Sequence, residues 1–170
     1  MATEFAFERI VEVLERHDVR YVVVGGVAAI AQGSPLATED VDVTPSRDAA
    51  NLQRLASALR ELDARLRVAD TPKGVPFPFD AGFLTGNDVW NLTTPHGDLD
   101  LIFVPPGTGG YEDLRRDAIV VDFAGAEVQM ASLVDVIRSK QASGRPKDQA
   151  QLPALRQTLE IIRERERGQS

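Results

Sequence analysis

The 170-residue sequence contains no cysteine, so disulfide bonds, thiolate nucleophiles and cysteine-ligated zinc are excluded. Its two histidines, His17 and His96, rule out a histidine-rich metal site and leave few candidates for a Ser-His-Asp triad. Any metal ion must therefore be bound by oxygen ligands, which favours Mg²⁺, Mn²⁺ or Ca²⁺.

The sequence also lacks a basic excess: it has 19 Lys and Arg and 26 Asp and Glu, which gives a formal net charge of −7. Proteins that bind a long nucleic-acid backbone usually have a basic excess, because their affinity comes from neutralising phosphates. The composition disfavours extensive duplex contact but leaves a local basic patch as an alternative.

No apolar run approaches the ~18 residues of a membrane span, and the N-terminus lacks the layout of a secretion signal. We therefore expect no membrane association and a cytoplasmic location.

The apolar pattern predicts a single α/β (α+β) domain. Helices are predicted at residues 5–17, 27–32, 47–67, 132–142 and 146–167, and strands at 20–24, 39–44, 87–94, 99–104, 118–123 and 126–130. Ser46, Ser132 and Pro146 are predicted to begin the last three helices, and residues 71–86 are predicted to form a loop. This order predicts a mixed β-sheet flanked by helices. We expect a core at residues 1–131 and a C-terminal helical segment, packed on the same domain, at 132–170.

The stretch GGVAAIAQGSPLATEDVDV, residues 25–43, carries most of the functional information. Asp40 and Asp42 lie one residue apart in a predicted core strand, so alternation places both carboxylates on one face. Their Cα atoms should lie roughly 6.6 Å apart at ~3.3 Å rise per residue. Two unpaired carboxylates repel each other and are costly to bury, and a divalent cation removes both penalties. A solvated strand face is the alternative.

Gly25, Gly26 and Lys140 add to this pattern. The glycines lie between a predicted strand and a predicted helix, where backbone N–H groups can approach a phosphate and the helix dipole favours an anion; a tight turn is the alternative. Lys140 continues, at spacings of three and four, an apolar stripe that begins at Leu133. It is expected to point inward toward an anion, or else to extend along the edge of the stripe into solvent.

The pattern G-G…T-x-D-x-D, in which the threonine is Thr38, resembles the signature of the nucleotidyltransferase superfamily with the polymerase-β-like fold. The later blocks TPHGDLDLIF, GGYEDL and VQMASLVDVIRSKQASGRPKDQAQLPAL resemble those of small bacterial minimal-nucleotidyltransferase and AbiEii-like proteins, which include toxin–antitoxin members. The resemblance covers residues 21–155. It implies a nucleotidyltransferase-like fold and transfer of a nucleoside monophosphate from an NTP to a hydroxyl group, with release of pyrophosphate and with Mg²⁺ or Mn²⁺ as cofactor.

The resemblance implies that Asp40, Asp42 and a third acid hold two metal ions. The third acid matches Asp100 in the block GDLDL, and Asp98 is the rival on the same face. We prefer Asp100 because it lies inside an apolar run, whereas Asp98 follows a glycine and suits a turn. The third acid could also act as the general base for the attacking hydroxyl.

The remaining site residues are also implied by the resemblance. Gly25, Gly26 and Thr38 would bind the nucleotide, and Lys140 would be a catalytic residue that contacts its phosphates. Three residues at the start of the last predicted helix complete the set: Arg145 and Lys147 as nucleotide-binding residues and Asp148 as a catalytic acid. The helix dipole alone would favour an acid at the position of Asp148.

The acceptor stays open among a tRNA 3′ end, a protein hydroxyl and a small molecule such as an aminoglycoside. The resemblance places a toxin-like role on RNA slightly ahead, and it implies a cognate antitoxin or toxin partner. Leu36 departs from the pattern, because relatives often carry a basic residue at this place. It motivates an alternative, a non-catalytic binding or antitoxin-like partner with the same fold.

Overall fold

The computed structural model describes residues 6–123 and 125–169. Their helices are α1 (Phe7–Arg16), α2 (Gly25–Ala31), α3 (Ala49–Glu61), α4 (Ala81–Leu84), α5 (Tyr111–Leu114), α6 (Leu133–Ser143) and α7 (Pro146–Gly168). Their strands are β1 (Tyr21–Val24), β2 (Asp40–Pro45), β3 (Arg65–Val68), β4 (Thr71–Val75), β5 (Val89–Thr94), β6 (Gly97–Ile102), β7 (Ile119–Phe123) and β8 (Ala126–Met130). Phe5, where the first helix was predicted to begin, lies outside the described residues.

The eight strands of the described residues form one mixed sheet in the order β4-β3-β5-β6-β2-β1-β8-β7. β2 runs parallel to β6 and β1 parallel to β8, whereas the other neighbours are antiparallel. The predicted fold class, a mixed β-sheet flanked by helices and followed by C-terminal helices, is confirmed.

The central strands separate apolar from acidic side chains by simple alternation. Val41 and Val43 on β2 are buried, as are Leu99 and Leu101 on β6. These residues join one buried cluster to which α1, α3, α6 and α7 also contribute. The acids between them lie on the opposite face of the sheet. The proposed division of the chain at residue 131 stays a prediction.

The helix predicted at residues 47–67 is wrong at both ends. It begins after Asp48, whose Oδ1 accepts a hydrogen bond from the backbone N–H of Asn51 at 2.9 Å, so the N-cap is Asp48 and not Ser46. It ends at Glu61, and Asp63 adopts a left-handed conformation with φ 49°. Aspartate tolerates this conformation better than most residues, and the chain then continues as β3.

The loop predicted at residues 71–86 contains β4 and α4. The prolines and glycines of this stretch suggested irregular structure, yet β4 is the last strand of the sheet order, where a proline is tolerated. By contrast, the predicted starts of the last two helices are confirmed. Ser132 Oγ accepts a hydrogen bond from the N–H of Asp135 at 3.1 Å, and Pro146 is the first residue of α7.

Asn51 on α3 ties the helix to the two central strands β1 and β2. Its side chain is fully buried. Oδ1 accepts from the backbone N–H of Arg20 at 2.7 Å, and Nδ2 donates to the carbonyl oxygens of Arg20 at 3.0 Å and Ser46 at 2.8 Å. Arg20 precedes β1 and Ser46 follows β2, so this one side chain links the start of β1 to the end of β2, the strand that carries Asp40 and Asp42.

Across the described ranges 6–123 and 125–169, no helix has both the length and the apolar character needed to cross a membrane.

Candidate active site

Three carboxylates meet where β2 and β6 run side by side. The parallel register places Asp42 opposite Asp100 and Asp40 opposite Asp98. One oxygen from each of Asp40, Asp42 and Asp100 lies within 4.8 Å of the others. Asp40 and Asp42 therefore lie on the same face of the sheet, as alternation predicts, and the register of β2 with β6 places Asp100 beside them.

Asp42 is a buried carboxylate that lies beside two other acids, Asp40 and Asp100. Burial, followed by the charges of Asp100 and Asp40, raises the pKa of Asp42 to about 7, while Lys140 acts in the opposite direction. Its Oδ1 is buried and has no hydrogen-bond partner among the described residues. An all-carboxylate donor set with an unsatisfied buried oxygen fits a hard divalent cation such as Mg²⁺ or Mn²⁺.

Gly25 and Thr38 place backbone and hydroxyl groups against these acids. Gly25, at φ 66°, begins α2, and a Cβ atom there would collide with Oδ2 of Asp42. A Cβ on Gly26 would lie 3.2 Å from the Cβ of Thr38. Thr38 Oγ1 lies 2.9 Å from Oδ1 of Asp40 and 3.0 Å from its carbonyl oxygen, so the hydroxyl can donate to either. Thr38 thus orients the first acid of the T-x-D-x-D pattern.

Lys140 and Asp148 form a buried ion pair beside the carboxylates. Lys140 Nζ lies 3.4 Å from Oδ1 of Asp148, and the lysine side chain is 14% exposed. Asp148 also accepts hydrogen bonds from Ser143 Oγ and, at 2.8 Å, from Arg145 Nε. Burial raises the pKa of Asp148, but the bonds from Ser143 and Arg145 outweigh this and hold it below its ordinary value. Asp148 therefore stays ionised and fixes Lys140 between α6 and α7.

A cleft of about 830 Å³ connects these groups. Every site residue predicted from the sequence lines it except Gly25, which lines a smaller adjoining cavity together with Asp42 and Lys140. Arg145 and Lys147 lie on the cleft wall formed by the start of α7. Leu36 lines the same cleft and packs partly against the core. The acidic cluster and the basic residues thus face one shared space.

Arg67 contacts this cluster although the sequence prediction missed it. Nη2 donates to Oδ1 of Asp100 at 2.7 Å, and Nη1 lies 3.1 Å from Oδ2 of Asp98. The side chain of Asp98 is 39% exposed and that of Asp100 only 12%. Asp98, the rival for the third acid, is thus the outer partner of the arginine.

No protein-family model matches the chain, and no curated protein sequence matches it. Solved structures do match it. A lincosamide antibiotic adenylyltransferase with lincomycin bound aligns with a TM-score of 0.58 at 15% identity, over 89% of this chain and 94% of that chain. A putative nucleotidyltransferase from Thermotoga maritima aligns at 0.53 and 17% identity, over 91% of each chain. ANT(2″)-Ia in complex with adenylyl-2″-tobramycin aligns at 0.54 and 14% identity, over 96% of this chain and 95% of that chain. The chain has the nucleotidyltransferase fold.

These matches confirm the fold that the resemblance of the G-G…T-x-D-x-D pattern implied. At these identities the likeness concerns the fold alone. The finer resemblance to minimal-nucleotidyltransferase and AbiEii-like proteins stays a prediction, as do the roles of the individual site residues.

Two signals in the sequence could have placed Arg67 beside the acids of this nucleotidyltransferase fold. The letters RLRV, residues 65–68, alternate as a strand does, and they follow the Leu62-Asp63 helix end. Four acids on one sheet face, at positions 40, 42, 98 and 100, also require nearby positive charge. The first signal was missed because the predicted helix was extended to residue 67, six residues beyond the end of α3 at Glu61.

Proposed function

We propose that this protein is a metal-dependent nucleotidyltransferase, which moves a nucleoside monophosphate from an NTP to a hydroxyl acceptor and releases pyrophosphate. The observation that carries the proposal is the cluster of Asp40, Asp42 and Asp100, with oxygens within 4.8 Å of one another on a nucleotidyltransferase fold. The buried Oδ1 of Asp42, unpartnered among the described residues, supports a cation at this place.

Asp40, Asp42 and Asp100 would hold Mg²⁺ or Mn²⁺, which, when bound, lowers the pKa of an attacking hydroxyl and stabilises negative charge on the phosphates. Thr38 would keep Asp40 in a fixed orientation through its hydroxyl, which lies 2.9 Å from Oδ1. Gly25 would leave the backbone free to approach the bound phosphates, because a side chain there would occupy the space beside Asp42.

The basic wall of the cleft would bind the triphosphate. Lys140 is fixed by Asp148, and Arg145 and Lys147 line the same cleft. The positive charge of these three residues exceeds that of the Asp148 carboxylate, which pairs with Lys140 and Arg145, so this wall would attract the anionic triphosphate tail. It would do so although Leu36 stands where relatives often carry a basic residue. In the reaction the acceptor oxygen bonds to the α-phosphorus, and Asp100 takes the hydroxyl proton. The bond from the α-phosphorus to the bridging oxygen breaks, and its electron pair leaves with pyrophosphate.

A small hydroxyl-bearing molecule is the acceptor that the structural neighbours support, because two of them are an antibiotic adenylyltransferase with lincomycin and a protein in complex with adenylyl-2″-tobramycin. A tRNA 3′ end or a protein hydroxyl, a toxin-like role and an antitoxin partner rest on the sequence resemblance. The net charge of −7 disfavours long nucleic-acid contacts but leaves room for a single RNA end.

A transfer assay tests the proposal. Each NTP, labelled on the α-phosphate, is supplied with Mg²⁺ or Mn²⁺ together with total RNA, a protein extract or a panel of aminoglycosides and lincosamides. We expect label transfer that Asp40→Asn abolishes and that Asp122→Asn, the same change on the exposed edge strand β7, leaves intact. Equal labelling by the Asp40→Asn protein would contradict the mechanism.

The second candidate is a non-catalytic binding partner with the same fold, which the apolar Leu36 on the cleft wall favours. The melting temperature distinguishes the two, since a bound ligand stabilises the folded state. An enzyme should melt at a higher temperature with Mg²⁺ and an NTP. No shift with any NTP at millimolar Mg²⁺ would favour the non-catalytic protein.

A further inference from the structure

Arg67 reaches the carboxylate cluster from β3, a strand that lies beyond β5 in the sheet. Besides its contacts with Asp98 and Asp100, Nη1 donates to the carbonyl oxygen of Leu92 at 3.3 Å. The guanidinium is therefore held by partners on both β5 and β6. Its planar fork of donors makes such a contact directional, which the single ammonium of a lysine would not.

We infer that Arg67 is a positioning residue for Asp100: it holds one carboxylate oxygen, so that the other is presented to a cation shared with Asp40 and Asp42. The inference rests on the proposed function, because it concerns the proposed metal site. Asp100 lies within the apolar strand β6, between the fully buried Leu99 and Leu101. A fixed hydrogen bond at 2.7 Å to a guanidinium restricts the rotation of its carboxylate about χ2.

A purely electrostatic role for Arg67 predicts the opposite sign of effect on metal binding. If the guanidinium only neutralised Asp98 and Asp100, its removal would make the cluster more negative and would tighten the binding of a divalent cation. If Arg67 positions Asp100, its removal frees the carboxylate and weakens binding. Loss of a residue that supports a metal ligand typically lowers metal affinity or activity by about 10- to 100-fold.

Arg65 provides a matched control for the substitution. It lies two residues earlier on β3, its side chain is 36% exposed against 34% for Arg67, and it pairs with Asp63 at 3.7 Å rather than with the cluster. Arg65→Met and Arg67→Met thus remove the same charge from the same strand. Arg67→Lys keeps the charge and removes the fork.

The test measures the affinity for Mn²⁺ alone, from the electron paramagnetic resonance signal of free Mn²⁺, in the full-length protein at pH 7.5. We expect Arg67→Met to bind Mn²⁺ about 10-fold or more weakly than the wild type and Arg65→Met to lie within about twofold of it. Arg67→Lys should fall between them. Unchanged or tighter binding in Arg67→Met overturns the inference. Should Arg67→Met fail to fold, as judged by circular dichroism, unchanged binding in Arg67→Lys overturns it.

Asp40→Asn separates failure of the inference from failure of the proposed function. If the wild type binds Mn²⁺ no better than Asp40→Asn, the proposed metal site and the role of Arg67 fail together. If Asp40→Asn abolishes binding and Arg67→Met matches the wild type, the role of Arg67 fails alone.

Discussion

Asp42→Asn should stabilise the metal-free protein at pH 8, although it removes a proposed metal ligand. Burial and the neighbouring acids raise the pKa of Asp42 from 3.8 to about 7. Between these values the folded protein holds a proton that the unfolded chain has released, so the free energy of unfolding falls as pH rises through this window. Above pH 7 the ionised Asp42 destabilises the folded state by about 4 kcal/mol at most, since one pKa unit corresponds to about 1.4 kcal/mol. Asparagine has nearly the same shape and does not ionise.

The measurement is urea unfolding of the wild type and Asp42→Asn in EDTA at pH 4 and pH 8. We expect the variant to be more stable by a few kcal/mol at pH 8 and the difference to shrink at pH 4, where wild-type Asp42 is protonated in the folded state. Adding Mg²⁺ at about 100 times its dissociation constant should stabilise the wild type by about 2.7 kcal/mol and leave the variant unchanged. A variant less stable than the wild type at pH 8 in EDTA would refute the reasoning.

Two further variants test individual contacts. Asn51→Leu should lower the free energy of unfolding by about 2–4 kcal/mol, because it removes three hydrogen bonds of a buried side chain and leaves their backbone partners unsatisfied. A loss below 1 kcal/mol in urea unfolding would contradict this. Gly25→Ala should abolish most of the Mg²⁺-dependent rise in melting temperature, because its Cβ would collide with Asp42. Gly33→Ala is its control, since Gly33 also has a positive φ but no atom lies within 4 Å of the added Cβ, and an equal effect of both variants would show that backbone strain alone is responsible.

The sequence was sufficient for features that depend on local periodicity. Alternation in T-x-D-x-D placed Asp40 and Asp42 on one face, and three- and four-residue spacing directed Lys140 inward, where it is 14% exposed. Ser132 and Pro146 predicted the starts of α6 and α7 because capping depends on residues close in sequence. The fold followed from the order of elements together with the family resemblance.

The features that the sequence missed depend on partners far away in the chain. Arg67 reaches Asp98 and Asp100 only because β3 and β6 flank β5 in the sheet, and no local pattern encodes that arrangement. The end of α3 is similar: the apolar spacing continues to Leu62, and the left-handed Asp63 stops the helix. Register between parallel strands, which sets Asp42 against Asp100, is likewise a property of the folded sheet.

The parallel pairing of β2 with β6 also means that burial of the hydrophobic core selects the register in which the acidic site is correctly assembled. A slip of one residue in this register would turn Asp100 toward the core and bring Leu99 or Leu101 into the cleft. Burying a carboxylate in place of a leucine would strongly destabilise the folded state. A molecule with a misassembled site should therefore not persist as a folded species. Because the two strands are distant in sequence, the chain between them must close into a loop before they pair, so this pairing is expected to be slower than that of the adjacent strands β5 and β6. A partly synthesised chain that ends before β6 would lack the carboxylate cluster.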